Sequence, residues 1–412
     1  MIRISSQQIF SGGINRLQDI NSNLVDTQQQ ISTGKRVNKP SDDPVAAARI
    51  LKLDQEVRQV ETYQRNATLA DNRLKQEESA LSSAVDIIQR VRELTVQAGS
   101  GSLSANDRLS ISSELKERLG QLANVANTRD ASGEYIFSGF QGQTPAFAKD
   151  DAGDWRYQGD EGQRVLEIDD GVTVPISDTG KEIFVDVPAA VTVKNLTGDP
   201  DAYVSGPNVV NENALRAVFP AGSGMDDLSV SVIDANGGVG TPDPTIEVRR
   251  PDGTLLTSEP ANPAPGEDFE VAGVELSVSG DIGTSFSLGV NDKQSVFGTI
   301  ENLVDGLEGI AKGSPKGSAE YDALIANSLS NLDSAQESII LKQTELGGRL
   351  NAVESTQAFL EDSGLYTKEI RSQLQDVDYA EAISNLSFQS FVLQAAQQSF
   401  AQVSQLSLFD RL

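Results

Sequence analysis

The sequence has no cysteine and no histidine. Disulfides are thereby excluded, as are thiolate and imidazole metal sites, cysteine nucleophiles and Ser/His/Asp triads. Aromatic residues make up only 5% of the 412 residues, too few for a large mixed core. Basic residues are also scarce. Thirty-three Lys and Arg stand against 60 Asp and Glu, a net charge of −27. Neither nucleic acid nor an anionic membrane would attract such a surface. Residues 1–30 lack the basic start and continuous apolar core of a secretory signal, so no Sec route is indicated. There is no Walker A loop, G-x-S-x-G elbow or H-E-x-x-H helix. The length suggests two or three domains with ample material for a core.

What the sequence does contain is helical periodicity at both ends. From Ala382 to Phe409 charge disappears altogether. Tyr379, Leu386, Leu393 and Phe400 recur every seven residues, and Ala382, Gln389, Ala396 and Val403 form the adjacent row. Two rows offset by three make the a/d seam of a helix that packs on other helices. A membrane span is the rival reading, because the run is long enough. Six Gln, six Ser and Asn385 within it count against that, since such groups are costly in hydrocarbon. The run reads as a docking helix between copies or related proteins, with Tyr379, Leu386, Leu393, Phe400 and Val403 as its subunit-docking residues. Residues 1–34 mirror it. Ser5 with Gln8 fits a capping box, and Phe10, Leu17, Leu24 and Ile31 repeat every seven residues with Ile14 beside them. These five are the candidate docking residues of the N-terminal helix, which should end near Gly34. The plain alternative is an amphipathic helix in a monomer's core.

Between the ends lie two long periodic segments. Asp43 reads as an N-cap with Pro44 at the first helical position. Leu53, Val60, Ala67, Leu74, Leu81 and Ile88 then hold seven-residue spacing. About 55 residues without an internal Gly or Pro make a helix of roughly 80 Å, the length of a coiled-coil element. Gly99–Ser102 breaks it, and a third helix is expected from about Ala105 to Asn127. A short apolar strand is expected over Glu134–Gly139. Ile325, Leu332, Ile339, Leu346, Val353 and Leu360 repeat the same period, so the two long helices should lie side by side, antiparallel. Gly347-Gly348 suggests close helix approach, and Ser363-Gly364 is expected to end the second helix.

Residues 141–290 differ in character. They hold 12 of the 15 prolines, 19 of the 35 glycines, and 26 acidic residues against 8 basic. Short apolar runs alternate with turns there: 165–168, 172–176, 183–187, 228–233, 245–248, 274–278 and 286–290. This predicts sandwich- or barrel-like β structure with solvated acidic loops. Composition shifts near Pro188 and Pro220 hint at two β subdomains. The expected class is α+β: a long antiparallel helical rod or coiled-coil bundle built from both termini, with an inserted all-β domain. The expected division is 1–43 plus 365–412 as terminal docking segments, 44–140 plus 291–364 as the helical rod, and 141–290 as the β-rich outer domain, with an inserted subdomain around 188–290.

No catalytic constellation, metal site or cofactor site emerges. Asp150, Asp151 and Asp154 raise the question of a Ca²⁺ loop, but their spacing does not match the EF-hand, and a solvated acidic turn explains them. Asp42 and Asp43 are accounted for by helix capping. Asp169-Asp170-Gly171 reads as a hairpin turn. Trp155 and Tyr157 could form a sugar platform, but burial in the β core is the much better account of them. A β domain acting as an enzyme or a sugar-binding adhesin stays open at this level.

Several segments carry a family resemblance: Ile31-Ser-Thr-Gly-Lys-Arg-Val37, Ser41-Asp-Asp-Pro44 and Asn66-Ala-Thr-Leu-Ala70 near the start, and Gly348-Arg-Leu-Asn351, Asp376-Val-Asp-Tyr-Ala-Glu-Ala382 and Leu393-Gln-Ala-Ala396 near the end. The chain resembles the flagellin superfamily of axial proteins over about 1–187 and 291–412. Residues near 188–290 look like an insertion. Three features are similar to a member at the hook–filament junction. They are Leu122-Ala-Asn124 with Thr128-Arg-Asp-Ala-Ser-Gly-Glu-Tyr-Ile-Phe-Ser-Gly139, Gly159-Asp-Glu-Gly162 leading to Ser177-Asp-Thr-Gly-Lys-Glu-Ile-Phe184, and the ending Ser407-Leu-Phe-Asp-Arg-Leu412. The resemblance implies a secreted, non-enzymatic structural adapter of the extracellular bacterial flagellum, exported unfolded by the flagellar type III apparatus. It implies a ring of copies between hook-associated protein 1 and flagellin, and a cytosolic export chaperone on the C-terminal segment. A filament-forming flagellin is the alternative within the superfamily. The chain ends would then be loosely ordered alone and fold together when neighbours supply the missing faces.

Overall fold

The computed structural model describes residues 2–101, 103–219, 227–237, 241–290 and 293–409, with the backbone alone at 2–7, 9, 10, 212, 216 and 403–409. The first helix, α1 (Ile2–Thr33), begins ahead of Ser5, so Ser5 lies within the helix and not at its cap. It stops where Gly34 takes φ +71°, a conformation in which glycine has no Cβ penalty. Next, α2 (Pro44–Ala98) starts as its sequence dictates. Asp43 Oδ1 accepts the Ala46 N–H at 2.9 Å, satisfying an otherwise orphaned donor. Asp42 accepts the Asn38 and Lys39 N–H groups, which holds its carboxyl below the usual carboxylate range. A Ser104/Asp107 capping box opens α3 (Ala105–Ala126).

Residues 134–139 form turns around a single antiparallel bridge of Tyr135 with Arg129 and not the expected strand. Gly139 at φ +68° and the Phe140 N–H donated to Asp160 Oδ1 curl the segment out of extended form. The strands that follow are β1 (Phe147–Lys149) and β2 (Trp155–Tyr157), then the hairpin β3 (Val165–Asp169) and β4 (Val172–Pro175), turned at Gly171. The strand expected over 183–187 is replaced by a short helix, α4 (Gly180–Phe184), whose N-cap Thr179 accepts the Glu182 N–H.

The segment beyond is opened and closed by a two-stranded ladder. β5 (Val187–Pro188) pairs with β15 (Lys293–Gln294), Pro188 opposite Lys293. Between them lie β6 (Thr192–Thr197), β7 (Tyr203–Val209), α5 (Glu212–Val218), β8 (Asp227–Asp234), β9 (Pro244–Arg249), β10 (Leu255–Leu256), β11 (Ser258–Glu259), β12 (Asp268–Val271), β13 (Val274–Ser279) and β14 (Ser285–Gly289). They form a five-stranded sheet in the order β10-β9-β8-β14-β6 and a four-stranded sheet in the order β11-β12-β13-β7. Alternate residues of both close one apolar core, with Val230, Val248 and Phe286 from one sheet and Phe269, Leu276 and Val278 from the other. Pro220 lies outside the described residues, and strands before and after it share this core.

Because β5 and β15 are hydrogen-bonded neighbours, their Cα atoms stand about 5 Å apart. Replacing residues 190–292 with a short Gly/Ser link is therefore expected to leave the helices outside that segment folded. Lost with the segment are the Lys316 Nζ to Pro200 oxygen bond of 2.7 Å and the bond from the Ala190 N–H to Asn331 Oδ1. Circular dichroism and thermal melting check this. A molten helical remainder would show that the insert is required by the rest of the fold.

The chain closes with α6 (Val296–Gly309), α7 (Pro315–Gln375) and α8 (Tyr379–Phe409). Ser363-Gly364 does not end α7, which runs on to Gln375 for a total of 61 residues. Gly364 serves close approach instead: a Cβ there would meet Val60 Cγ1 at 3.3 Å. Gly347 and Gly348 show the reverse, since a Cβ at either would meet nothing within 4 Å, so no tight approach explains them.

Two compact units divide the chain: Met1–Thr68 with Ile168–Gly171 and Ser355–Leu412, and Leu69–Glu167 with Val172–Glu354. In the first, α2 and α7 run antiparallel, shown by Asp54 to Arg371 at 3.1 Å and Gln64 Nε2 to the Leu360 oxygen at 3.1 Å. In the second they do so again, with Arg92 on Asp333 and the buried Tyr321 Oη donating to the Ala98 oxygen at 2.7 Å. Leu74, Leu81 and Ile88 of α2, and Leu332, Ile339, Leu346 and Val353 of α7, are fully buried. These are the seven-residue rows read from the sequence. An aromatic cluster of Phe137, Phe147, Tyr157, Phe184 and Phe297 completes the second unit's interior.

Candidate docking surface of the terminal helices

The candidate surface lies on α1 and α8, which pack on each other within the first unit. The chain enters and leaves this pair through a tight splice. Arg36 N–H donates to the Gln375 oxygen at 2.7 Å, Val377 N–H to the Gly34 oxygen at 3.0 Å, and Arg36 Nη2 to the Leu374 oxygen at 2.8 Å. Val37, Ala46 and Ile50 form a small core against Leu374. Gly34 is doubly required, because a Cβ would also lie 3.0 Å from the Tyr379 hydroxyl.

Along the pair, Leu17, Leu24 and Ile31 of α1 are half-buried, as are Leu386, Leu393 and Phe400 of α8. Phe400 lies over Gly13, where a Cβ would come within 3.1 Å of its ring. Ala382 is buried, and Thr27 is buried with its hydroxyl 3.0 Å from Gln389 Oε1. The uncharged amide row thus finds a partner inside the pair. Ile14 and Tyr379 are exposed, at 38% and 52%. Phe10 and Val403 lie on these helices, but their side chains are outside the described residues. The seam residues therefore do part of their packing within one chain.

A second stripe on α8 escapes the seven-residue reading. Ile383, Phe388 and Phe391 are 52%, 66% and 68% exposed. At 100° per residue they fall within a sector of about 140°, which a strict seven-residue search does not register. The signal was present as aromatic residues in a chain that has few.

The other candidates have local roles. Asp150 Oδ1 accepts the Ala152 and Asp154 N–H groups and Oδ2 pairs with Arg156, holding its carboxyl below the usual range. Trp155 packs toward Phe297, and the Tyr157 hydroxyl, pushed up to about 12 by burial, donates to the Asp160 oxygen at 2.7 Å. Among the described residues no group of three or more acidic side chains is arranged to hold a metal, and no helix is long and apolar enough to cross a membrane.

The model of the bacterial flagellin N-terminal helical region matches residues 4–142, and that of the C-terminal helical region matches 329–412. Flagellar hook-associated protein 3 of Salmonella typhimurium (strain LT2) is 30% identical over 260 residues, covering 58% of this chain and 80% of the relative. The chain belongs to the flagellar hook-associated protein 3 family. The hook-associated protein 3 of Escherichia coli K12 is 26% identical over 408 residues, 99% of both chains. The crystal structure of the flagellar junction protein FlgL from Legionella pneumophila superposes with a TM-score of 0.61 at 28% identity, covering 81% of this chain and all of that one. The fold of this hook-associated protein 3 family member is thus an α+β arrangement shared with solved relatives, and the flagellin-type regions contain both candidate docking helices.

Proposed function

We propose that this chain is a structural adapter of the bacterial flagellum, a ring of copies at the junction between hook-associated protein 1 and the flagellin filament. The observation that carries the reading is the relation to hook-associated protein 3 chains along nearly the whole length, including one described as the flagellar junction protein. The physics of α1 and α8 supports it. Their seam is half-closed within one chain, while Ile383, Phe388 and Phe391 remain exposed on the stretch of α8 that has no charge, Ala382 to Phe409. An unpartnered apolar stripe of this kind is suited to a neighbouring helix. Uncharged Gln and Ser suit stacked copies, since one charge repeated around a ring would repel itself.

In this reading residues 1–43 and 365–412 dock, 44–140 and 291–364 form the supporting helices, and 141–290 is the outer domain. The adapter performs no catalysis. Export in the unfolded state brings it to the extracellular hook–filament junction, and a cytosolic chaperone shields the apolar C-terminal helix beforehand. Electron microscopy of cells lacking this chain tests the proposal. Hooks without filaments, with flagellin in the medium, are expected; normal filaments would refute it. Long filaments grown from the purified chain alone would favour a flagellin instead.

A further inference from the structure

Three segments singled out in the sequence meet at a buried site that the junction role does not use. Asp178, in the 177–184 segment, has a side chain with no exposure. Arg349, from Gly348-Arg-Leu-Asn351, grips it with two bonds of 2.9 and 3.1 Å, and Gln163 Nε2 donates to it at 2.9 Å. Glu77 of α2 lies alongside, 1% exposed, and receives the Asp178 N–H. Its Oε1 has no hydrogen-bond partner among the described residues. It borders a cavity of about 10 Å³, which is room for about one water molecule.

The surrounding cations are already engaged. Arg73 of α2 pairs with Asp130 at 2.7 Å and with Glu134 at 3.3 Å, and Arg164 with Glu134 at 2.6 Å. On α7, Arg349 also binds Glu345, and Lys342 is shared among Glu345, Glu182 of α4 and Asp178. Tyr135 is the remaining titratable group lining the cavity, its hydroxyl accepting from Arg129 at 2.5 Å. Two carboxylates therefore adjoin in the interior, with the Arg349 guanidinium and the shared Lys342 ammonium both engaged by the first of them. An ionised Glu77 would be a second buried charge with no cation of its own, which is strongly unfavourable.

We propose that Glu77, Asp178 and Arg349 form a protonation-gated joint that holds residues 177–184 against α2 and α7 while Glu77 is neutral, and loosens them when Glu77 ionises. Burial and the neighbouring Asp178 carboxylate push the Glu77 carboxyl well above the usual range, with Arg349 opposing. A carboxyl raised in the folded state stabilises fully below its unfolded value, near 4.5, and that contribution is lost as pH rises through the folded value. The composition makes this readable. With no histidine and no cysteine, the chain has almost nothing else that titrates between pH 5 and 8. Glu301, raised by partial burial, is the other carboxyl to control for.

The test follows thermal melting of the full-length chain from pH 5 to 8, with hydrogen exchange of the 179–184 amides. Wild-type melting temperature is expected to fall over this range, and the opening constant of those amides to rise by up to tenfold per pH unit, the limit for one proton. Glu77→Gln, which keeps the neutral shape, is expected to flatten both responses and to melt above wild type at pH 8. Glu301→Gln should retain the wild-type slope. A slope unchanged by Glu77→Gln, or no slope in wild type, overturns the joint. Should Glu77→Gln fail to fold, the Glu77 carboxyl is titrated directly by carbon-13 NMR in the wild-type chain. A midpoint well above 4.5 supports the proposal, and one at or below 4.5 overturns it.

Discussion

A chain ending at Asp378 is expected to fold and to leave cells without filaments. Truncation there removes α8 entire while sparing the Val377-to-Gly34 and Arg36-to-Gln375 bonds. It also spares every α2–α7 contact described above. The melting of those helices should therefore change little, whereas Leu17, Leu24 and Ile31 of α1 lose their partner. Because the C-terminal segment also serves export in the proposed reading, loss of filaments alone would not separate docking from secretion. The full-length double variant Phe388→Ser, Phe391→Ser does so. Those rings are two-thirds exposed in the single chain, so its fold should be indifferent. If neighbours cover them, each is worth about 1.5–3 kcal/mol of burial. Assembly should then weaken by at least 100-fold at unchanged melting temperature, since about 1.4 kcal/mol is tenfold. Filament counts by electron microscopy, with the variant detected in the medium, measure this. Wild-type filament numbers would show that the stripe is not a docking surface.

Seven-residue periodicity made the helical half of the fold legible. Rows such as Leu74–Leu81–Ile88 and Leu332–Ile339–Leu346 repeat often enough to be read without an alignment, and Asp43-Pro44 and Gly34 mark helix ends by local chemistry alone. Where the reading failed, a local rule met a tertiary demand. Gly364 reads as a stop, yet α7 passes through it because α2 comes close at Val60. Residues 183–187 have strand composition, yet Thr179 caps a helical turn first. Glu134–Gly139 is apolar and short, but its bonds run to Thr128 and Asp160 rather than to a neighbouring strand. The seam of the candidate docking surface was legible for the same reason as the long helices. The Ile383, Phe388 and Phe391 stripe was not, because it obeys helical angle and not heptad register. The contact of Glu77 with Asp178 and Arg349 had no sequence signal, since it joins residues about 100 and 270 positions apart through folding alone.

Phe147→Ala should be the most destabilising single substitution in the second unit. Its ring is 2% exposed and lies at the centre of the aromatic cluster, with centroids 4.5 Å from Phe297, 5.4 Å from Tyr157 and 5.8 Å from Phe184. Those partners come from α6, β2 and α4, so one ring ties together segments far apart in sequence. The backbone at this position is also fixed. Asn127 Oδ1 accepts the Phe147 N–H at 2.9 Å, and its Nδ2 donates to the Phe147 oxygen at 2.8 Å, joining the end of α3 to β1. With its backbone pinned from both sides, the site cannot collapse well into the void left by the ring. A buried Phe→Ala change costs about 3–5 kcal/mol under such conditions, a large fraction of the ~5–15 kcal/mol typical of folded domains. Phe140→Ala is the internal control, because that ring is 62% exposed and its removal should shift stability by no more than about 0.5 kcal/mol. Asn127→Ala combined with Phe147→Ala should cost less than the two singles added, since freeing the backbone lets the cavity close. Chemical denaturation of the four variants measures this. A Phe147→Ala cost near that of Phe140→Ala, or strict additivity with Asn127→Ala, would show that the cluster is not the centre of this core.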